Sequence, residues 1–145
     1  MPTDAAALPT VRSVRKRIAL VAHDGRKHEL LELVRECLDQ LRFERLVATE
    51  TTGQLVASQF GLDVELVASG PFGGDLQIGA LVASGEIELL VFLRDPLAAH
   101  PHEPDIQALM KVCDVHRVPL ATNLATALLC VSALANRRRP ALTAV

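Results

Sequence analysis

The sequence predicts a three-layer α/β/α domain in which helices cover both faces of a parallel β-sheet. Strand-like apolar runs alternate with helical patterns five times along the chain, and no hairpin signal joins any two runs. The runs are apolar throughout, as in strands that are buried on both faces. Because parallel strands need long crossover connections, the repeated β-α order favours a parallel sheet.

The strands are predicted from short apolar runs, and the helices from apolar residues that recur at three- and four-residue steps. We expect strands at residues 18–22, 45–48, 64–68, 87–93 and 118–121. We expect helices that carry the apolar positions of 30–41, 55–60, 76–83, 106–113 and 125–135. Gly61 and Gly85 are placed to end the second and third helices, since glycine readily forms a helix C-cap.

The composition indicates one domain with ample core material and no nucleic-acid site. The 145 residues are 50% hydrophobic but only 3% aromatic, and the net charge is −2. Few aromatic side chains and no excess of positive charge argue against nucleic acid as a partner. No apolar stretch is long enough to span a bilayer, so we expect a cytoplasmic protein with no membrane partner.

The two ends of the chain differ in pattern from its centre. Residues 1–16 lack periodicity and are predicted to form a flexible leader, 17–136 a single domain, and 137–145 a short C-terminal tail. The three cysteines form no CxxC motif and fall on apolar faces of predicted helices. We therefore expect Cys37, Cys113 and Cys130 to be reduced core residues.

Polar residues concentrate directly after the predicted strands. In parallel sheets of this class, ligands bind at the carboxyl ends of the strands. All five strand ends are followed by polar residues, whereas the connections at the opposite edge are short and turn-like. The polar segments are 23–27, 49–52, 69–75, 95–105 and 123–126. We therefore expect one ligand site where these segments converge.

Three of these segments supply groups that suit a phosphate monoester. Hydroxyls, backbone N–H groups and an ammonium group bind small phosphates, and the candidates are Lys27, Thr49, Thr51, Thr52, Ser69 and Gly70. The alternative is that the threonines only cap a helix. Neither GxxxxGK[ST] nor GxGxxG follows the first strand, which disfavours nucleoside triphosphates and dinucleotides. If phosphate binds here, Glu50 must point outward or pair with Lys27 or Arg26.

Asp75 follows two glycines at the predicted start of a helix, which leaves two interpretations open. Aspartate commonly caps helices, and the loop alone favours that role. The alternative is a catalytic base beside a bound phosphate. Crowding with Asp24, Asp95 and Asp105 would raise the pKa of Asp75, whereas the helix N-terminus would lower it.

The loop after the fourth strand carries His102 and Asp105 among prolines, which suit a preorganised site. The alternatives are a rigid connector and a metal site built from His100, His102 and a carboxylate. The metal interpretation is disfavoured because the set lacks a recognised ligand spacing and includes no thiolate. We therefore expect no metal.

Together, these motifs resemble the methylglyoxal synthase family over about residues 17–127. Several motifs in one order and at matching separations are far more specific than any one of them. The matching residues are Val21-Ala22-His23-Asp24, Lys27, Ala48-Thr49-x-Thr51-Thr52-Gly53, Ser69-Gly70-Pro71-x-Gly73-Gly74-Asp75, Gln77-x-Gly79-Ala80, Asp95-Pro96-Leu97, Pro101-His102-x-Pro104-Asp105 and Ala121-Thr122-Asn123. Glu50 stands where the family usually has glycine.

The resemblance implies a five-stranded parallel sheet in the order 3-2-1-4-5 and conversion of dihydroxyacetone phosphate to methylglyoxal and inorganic phosphate. It also implies a lyase without metal or organic cofactor, a homohexamer, inhibition by phosphate, and a place in methylglyoxal biosynthesis as a glycolytic bypass. Two alternatives remain. The same fold serves as a regulatory, effector-binding domain in carbamoyl-phosphate synthetases, and a phosphosugar isomerase activity is a weaker option.

The resemblance further assigns roles to residues of the predicted site. Asp75 is the implied base that removes a proton from the hydroxymethyl carbon of the substrate. His102 is the implied group that moves a proton between the substrate oxygens, with Asp105 in support. The implied substrate-binding residues are His23, Lys27, Thr49, Glu50, Thr51, Thr52, Ser69, Gly70 and His102.

Overall fold

Five parallel strands form the central sheet of the protein, in a computed structural model that describes residues 15–138. The strands are β1 (Arg17–Ala22), β2 (Arg45–Thr49), β3 (Val64–Val67), β4 (Ile87–Leu93) and β5 (Leu120–Ala121). Their order is β3-β2-β1-β4-β5, and every neighbouring pair is parallel. This confirms the predicted fold class and the predicted strand order 3-2-1-4-5.

Helices and two short 3-10 turns connect the strands. The helices are α1 (Lys27–Glu36), α2 (Leu38–Leu41), α3 (Glu50–Phe60), α4 (Gly74–Ala83), α5 (Glu103–His116) and α6 (Leu124–Arg138), and the 3-10 turns are Asp24–Arg26 and Gly70–Phe72. Within the described range, no helix is both long and apolar enough to cross a membrane.

Each face of the sheet has its own hydrophobic layer, because successive residues of a strand point to opposite faces. Ile18 and Leu20 of β1 pack under the layer formed by α1, α3 and α6. Ala19 and Val21 pack under the layer formed by α4 and α5. All four side chains are buried, which explains why the strand reads as an unbroken apolar run.

Most boundaries agree with the sequence prediction to within three residues, and three elements differ in a way that the structure explains. The first helix ends at Glu36, and Cys37 leaves the helical conformation so that α2 can direct Leu41 into the core. Strand β5 has only two residues, because Pro119 has no N–H to donate and contributes its carbonyl to Leu90 instead. Helix α6 continues to Arg138, whose guanidinium pairs with Glu44 and Glu88.

The predicted core role of the cysteines is confirmed for two of them. Cys37 and Cys113 are buried free thiols on opposite faces of the sheet, and Cys130 packs partly against the core. The predicted leader and tail lie mostly outside the described residues, at 1–14 and 139–145.

Candidate active site

A cavity of about 500 Å³ opens at the carboxyl edge of the sheet, where the loops after β1, β2, β3 and β4 meet. The sequence-predicted site residues that line it are His23, Lys27, Thr49, Thr51, Ser69, Gly70, Asp75 and His102. Thr52 lies buried beside the cavity and contacts Lys27. Glu50 and Asp105 are not part of the lining. The predicted convergence of loops at one edge is thus confirmed for four strand ends.

The loop before α4 directs Asp75 into the cavity. Gly73 takes a left-handed backbone conformation with φ 98°, which suits glycine, and the helix begins at the next residue. A Cβ on Gly74 would lie 1.9 Å from the carbonyl oxygen of Ala68. Position 74 therefore has no room for a side chain in this backbone conformation. Asp75 is the second residue of α4. Its side chain is completely buried and lines the cavity.

Asp75 does not cap its helix. The N-cap position belongs to Gly73, and neither carboxylate oxygen of Asp75 has a hydrogen-bond partner among the described residues. Burial is the largest influence on this carboxyl and raises its pKa, and the charge of Asp105 adds to the increase. The positive charges of His102 and His100 act in the opposite direction. Burial, more than crowding by other carboxylates, therefore decides the direction of the shift.

His102 is the nearest ionisable partner of Asp75. Its Nε2 lies 3.6 Å from Oδ2 of Asp75, and its Nδ1 is buried without a partner in the described structure. A Cβ on Gly70 would lie 3.3 Å from Oδ1 of Asp75 and 3.4 Å from Nε2 of His102. The missing side chain of Gly70 thus keeps the space beside Asp75 and His102 open. Asp105 lies one turn into α5 and donates its backbone N–H to the His102 carbonyl.

Lys27 provides the positive charge on the opposite side of the cavity. Its ammonium donates to the carbonyl of Ala22 at 2.5 Å and to Oγ1 of Thr52 at 3.2 Å, and lies 3.6 Å from Oδ1 of Asp24. Burial lowers the pKa of Lys27, and the exposed Asp24 counteracts this. These contacts fix the ammonium beside the start of α3, where free N–H groups also favour an anion.

Thr49 and Thr51 face the cavity, whereas Glu50 between them does not. Thr49 is the N-cap residue of α3, but its side chain makes no capping hydrogen bond. Thr49 and Thr51 instead line the cavity. Glu50 is exposed and lies outside the lining, which meets the requirement that it point outward.

His23 is held as a hydrogen-bond donor. Its Nδ1 accepts the backbone N–H of Asp95 at 2.9 Å, so in the neutral ring the proton sits on Nε2. That nitrogen is buried and has no partner among the described residues. Burial, followed by the positive charges of His100, His102 and Arg94, lowers the pKa of His23 to about 4, against a small opposing effect of Asp95.

The same hydrogen bond argues against a metal in this cavity. One nitrogen from each of His23, His100 and His102 lies within 4.8 Å of the others, which is compact enough to suggest a cation site. A metal on Nε2 of His23 would require the proton on Nδ1, where it would face the N–H of Asp95. The neutral tautomer present here donates from Nε2 and does not ligate.

Sequence reasoning missed two contributors to the site. His100 lines the cavity, although the motif search considered it only as a metal ligand. Gln77 accepts the N–H of Ala68 at 2.8 Å and so ties the start of the glycine-rich loop to α4. The only signal for His100 was its position two residues before His102, and Gln77 belongs to the motif that carries the resemblance.

The fold and the cavity define an α/β protein of 3-2-1-4-5 topology with an acid–base site at the carboxyl edge of its sheet. The family model described as "MGS-like domain" matches residues 29–122. Methylglyoxal synthase of Burkholderia cenocepacia strain HI2424 is 54% identical over 121 residues, which cover 83% of this chain and 93% of the relative. Methylglyoxal synthase of Burkholderia lata is 55% identical over the same length.

A solved structure of a methylglyoxal synthase has the same fold. The crystal structure of methylglyoxal synthase from Elizabethkingia anophelis NUHP1 superposes with a TM-score of 0.76 and 42% sequence identity. The match covers 81% of this chain and 78% of that one. The chain belongs to the methylglyoxal synthase family. Membership confirms the resemblance, supports an enzyme of the lyase class, and disfavours the regulatory-domain alternative.

Proposed function

We propose that this protein converts dihydroxyacetone phosphate to methylglyoxal and inorganic phosphate, as a carbon–oxygen lyase. The observation that carries the proposal is Asp75, a fully buried carboxylate with two unpartnered oxygens, placed against His102 in a cavity that also presents Lys27. A base that faces a ligand space and is not neutralised by fixed partners suits proton abstraction from carbon. The family relationship supplies the substrate.

In the proposed mechanism, Asp75 removes a proton from the hydroxymethyl carbon. The raised pKa of Asp75 makes it a stronger base than an exposed aspartate. The two electrons of the broken C–H bond form the ene-diolate, and His102 moves a proton between its two oxygens. Asp105 supports this pair through its backbone N–H to the His102 carbonyl and through its charge, which helps to raise the pKa of Asp75. The ene-diolate then expels phosphate from the adjacent carbon, and the resulting enol tautomerises to methylglyoxal.

The proposed phosphate cradle decides between elimination and isomerisation. Elimination requires the C–O bond to phosphate to stand roughly perpendicular to the ene-diolate plane, so that its electrons overlap with the π system. The cradle consists of the Lys27 ammonium, hydroxyls, and N–H groups from the loops after β2 and β3. We assign to it Lys27, Thr49, Glu50 through its backbone N–H, Thr51, Thr52, Ser69 and Gly70, with His23 as a further donor. Orientation by such fixed groups is the main catalytic device.

A direct assay tests the activity and separates its rivals. Purified protein is incubated with dihydroxyacetone phosphate, and methylglyoxal, inorganic phosphate and glyceraldehyde 3-phosphate are measured together. We expect equal amounts of methylglyoxal and phosphate, with no added metal or cofactor. Formation of glyceraldehyde 3-phosphate without phosphate release would indicate an isomerase. Binding without any product would indicate an effector-binding module.

The cradle is tested with Lys27→Ala. Loss of a charge-assisted hydrogen bond weakens binding by about 1.5–3 kcal/mol, or roughly 10- to 100-fold. We therefore expect inorganic phosphate, measured by calorimetry, to bind that much more weakly. The matched control is Lys111→Ala, which removes an exposed lysine from α5 outside the cavity lining. Equal phosphate affinity in the two variants would contradict the cradle.

The remaining family properties are proposed on the resemblance. Phosphate, as a product that fits the cradle, is expected to inhibit the reaction, and its effect on initial rates tests this. We propose a cytoplasmic homohexamer that acts in a glycolytic bypass. Sedimentation velocity tests the assembly, and a monomer at micromolar concentration would contradict it. Cell fractionation tests the location.

A further inference from the structure

Three imidazole rings form one wall of the cavity, and two of them are stacked. The rings of His23 and His100 lie 3.7 Å apart between centroids, with an angle of 28° between their planes. His102 meets both rings edge-on, at 6.0 Å from His23 and 5.6 Å from His100. The proposed mechanism uses His23 and His102 but gives no task to His100.

The backbone of Asp95 holds both stacked rings. Its N–H donates to Nδ1 of His23 at 2.9 Å, and its carbonyl oxygen lies 3.4 Å from Nε2 of His100. A carbonyl can only accept, so this contact requires the proton of His100 on Nε2. Phe92 also contacts His23, with ring centroids 5.2 Å apart and nearly perpendicular planes. His23 is therefore confined between Phe92, His100 and Asp95.

We propose that His100 is a positioning residue that holds His23 with its Nε2–H directed at an oxygen of the bound substrate. Stacking fixes the plane of the His23 ring. The contact with the Asp95 carbonyl holds the backbone of the residue whose N–H sets the His23 tautomer. Without His100, the His23 ring gains a free face and the Asp95 backbone loses one of its contacts. The inference rests on the proposed function only in that His23 meets the substrate.

The first test is spectroscopic and needs no turnover. Long-range ¹H–¹⁵N NMR distinguishes the two neutral tautomers of a histidine. In the unaltered protein we expect His23 in the Nε2–H form from pH 5.5 to 8. The charges that affect the pKa of His23 are those of the groups that face it, namely His100, His102, Arg94 and Asp95. In His100→Ala we expect a mixture of tautomers, whereas His116→Ala, on an exposed helix end, should leave His23 unchanged.

The second test measures binding of 2-phosphoglycolate, whose carboxylate imitates an ene-diolate. Loss of one well-placed hydrogen bond is about 1.4 kcal/mol, so His100→Ala should bind about tenfold more weakly. His100→Phe keeps an aromatic ring over His23 but cannot contact the Asp95 carbonyl, so its affinity should be intermediate. If His100→Ala does not fold, His100→Phe alone carries the comparison with a smaller expected loss.

The outcomes separate this inference from the proposed function. An unchanged His23 tautomer together with unchanged 2-phosphoglycolate affinity in both variants would overturn the role of His100, whatever the enzyme does. If the unaltered protein forms no methylglyoxal but His23 changes tautomer in His100→Ala, the proposed function fails and the positioning role stands.

Discussion

A carboxylate with no exposed surface and no hydrogen-bond partner is costly to hold in its ionised form. Asp75 is such a group, since its exposure is 0% and both of its oxygens lack partners within the described part of the chain. The direction of its pKa shift follows from that burial. The burial that suits Asp75 to its proposed role as a base therefore also makes it a source of instability at neutral pH.

We predict that Asp75→Asn removes turnover and does not lower stability. Loss of the base should reduce kcat by several orders of magnitude while binding of 2-phosphoglycolate persists, because the base acts only in the chemical step. At pH 7 the urea midpoint should equal or exceed that of the unaltered protein, because a neutral amide is less costly to bury than a carboxylate.

The pH dependence of that stability difference is a further check on Asp75→Asn. A folded-state pKa above the ordinary 3.8 means that the folded protein binds more protons than the unfolded chain above that pH. Ionised Asp75 therefore lowers stability as pH rises. The advantage of the variant should shrink as pH falls towards 4. Turnover like that of the unaltered protein would remove Asp75 from its proposed role.

At the scale of elements, the loop between β3 and α4 works as a rigid support for the site. The N–H groups of Phe72 and Gly74 both donate to the carbonyl of Ser69 at 3.0 Å, which closes the 3-10 turn. The side chain of Gln77 then ties Ala68 to the helix. One loop of seven residues thus presents Ser69 and Gly70 to the proposed phosphate and Asp75 to the proposed carbon acid.

We predict that Gly74→Ala damages this support, whereas Gly79→Ala does not. The new Cβ at position 74 would meet backbone at 1.9 Å, so the loop must move, at about 1–3 kcal/mol of stability. Displacement of Asp75 should also reduce kcat at least tenfold. A Cβ at position 79 would make an ordinary 3.6 Å contact with Leu109. Equal activity and equal urea midpoints in the two variants would contradict the rigid-loop account.

The order of these elements could be predicted from the sequence, but several details of the site could not. The β-α alternation and the placement of polar segments depend on local pattern, which is why the fold class and the shared edge are as expected. The strand order is expected from the family resemblance and not from local pattern. The direction of the pKa shift at Asp75 depends on how tightly neighbouring loops enclose it. The stacking of His100 on His23 depends on the path of a nine-residue loop, 94–102, which has no periodicity to follow.

On the scale of the whole molecule, the two edges of the sheet differ in where buried polar atoms lack partners. At the amino edge, charges are paired: Arg17 contacts Glu65 and Glu86, and Arg138 contacts Glu44 and Glu88. Every buried side-chain nitrogen or oxygen atom that lacks a hydrogen-bond partner in the described residues lies at the carboxyl edge. They belong to His23, Asp75, Arg94 and His102. Three of these four residues, His23, Asp75 and His102, line the candidate cavity, where a ligand can satisfy them.

This asymmetry gives the stability of the whole molecule a predictable pH dependence. His23 has a folded-state pKa of about 4 against an ordinary 6.5. Between these values the unfolded chain binds a proton that the folded protein excludes, so the free energy of unfolding contributed by His23 rises with pH. Since a tenfold change in proton affinity corresponds to about 1.4 kcal/mol, the full effect of lowering this pKa from 6.5 to about 4 is about 3.5 kcal/mol.

We therefore predict that His23→Gln flattens the pH profile of stability. Urea unfolding at fixed protein concentration, from pH 4.5 to 7, should show a smaller rise for this variant than for the unaltered protein. Glutamine does not titrate, and its carbonyl can still accept the N–H of Asp95. His116→Gln, which changes an exposed histidine at the end of α5, should keep the original slope. Asp75 contributes the opposite slope in His23→Gln and in the unaltered protein alike, so only the difference between their two profiles reports on His23. Parallel profiles for these two proteins would contradict the assignment.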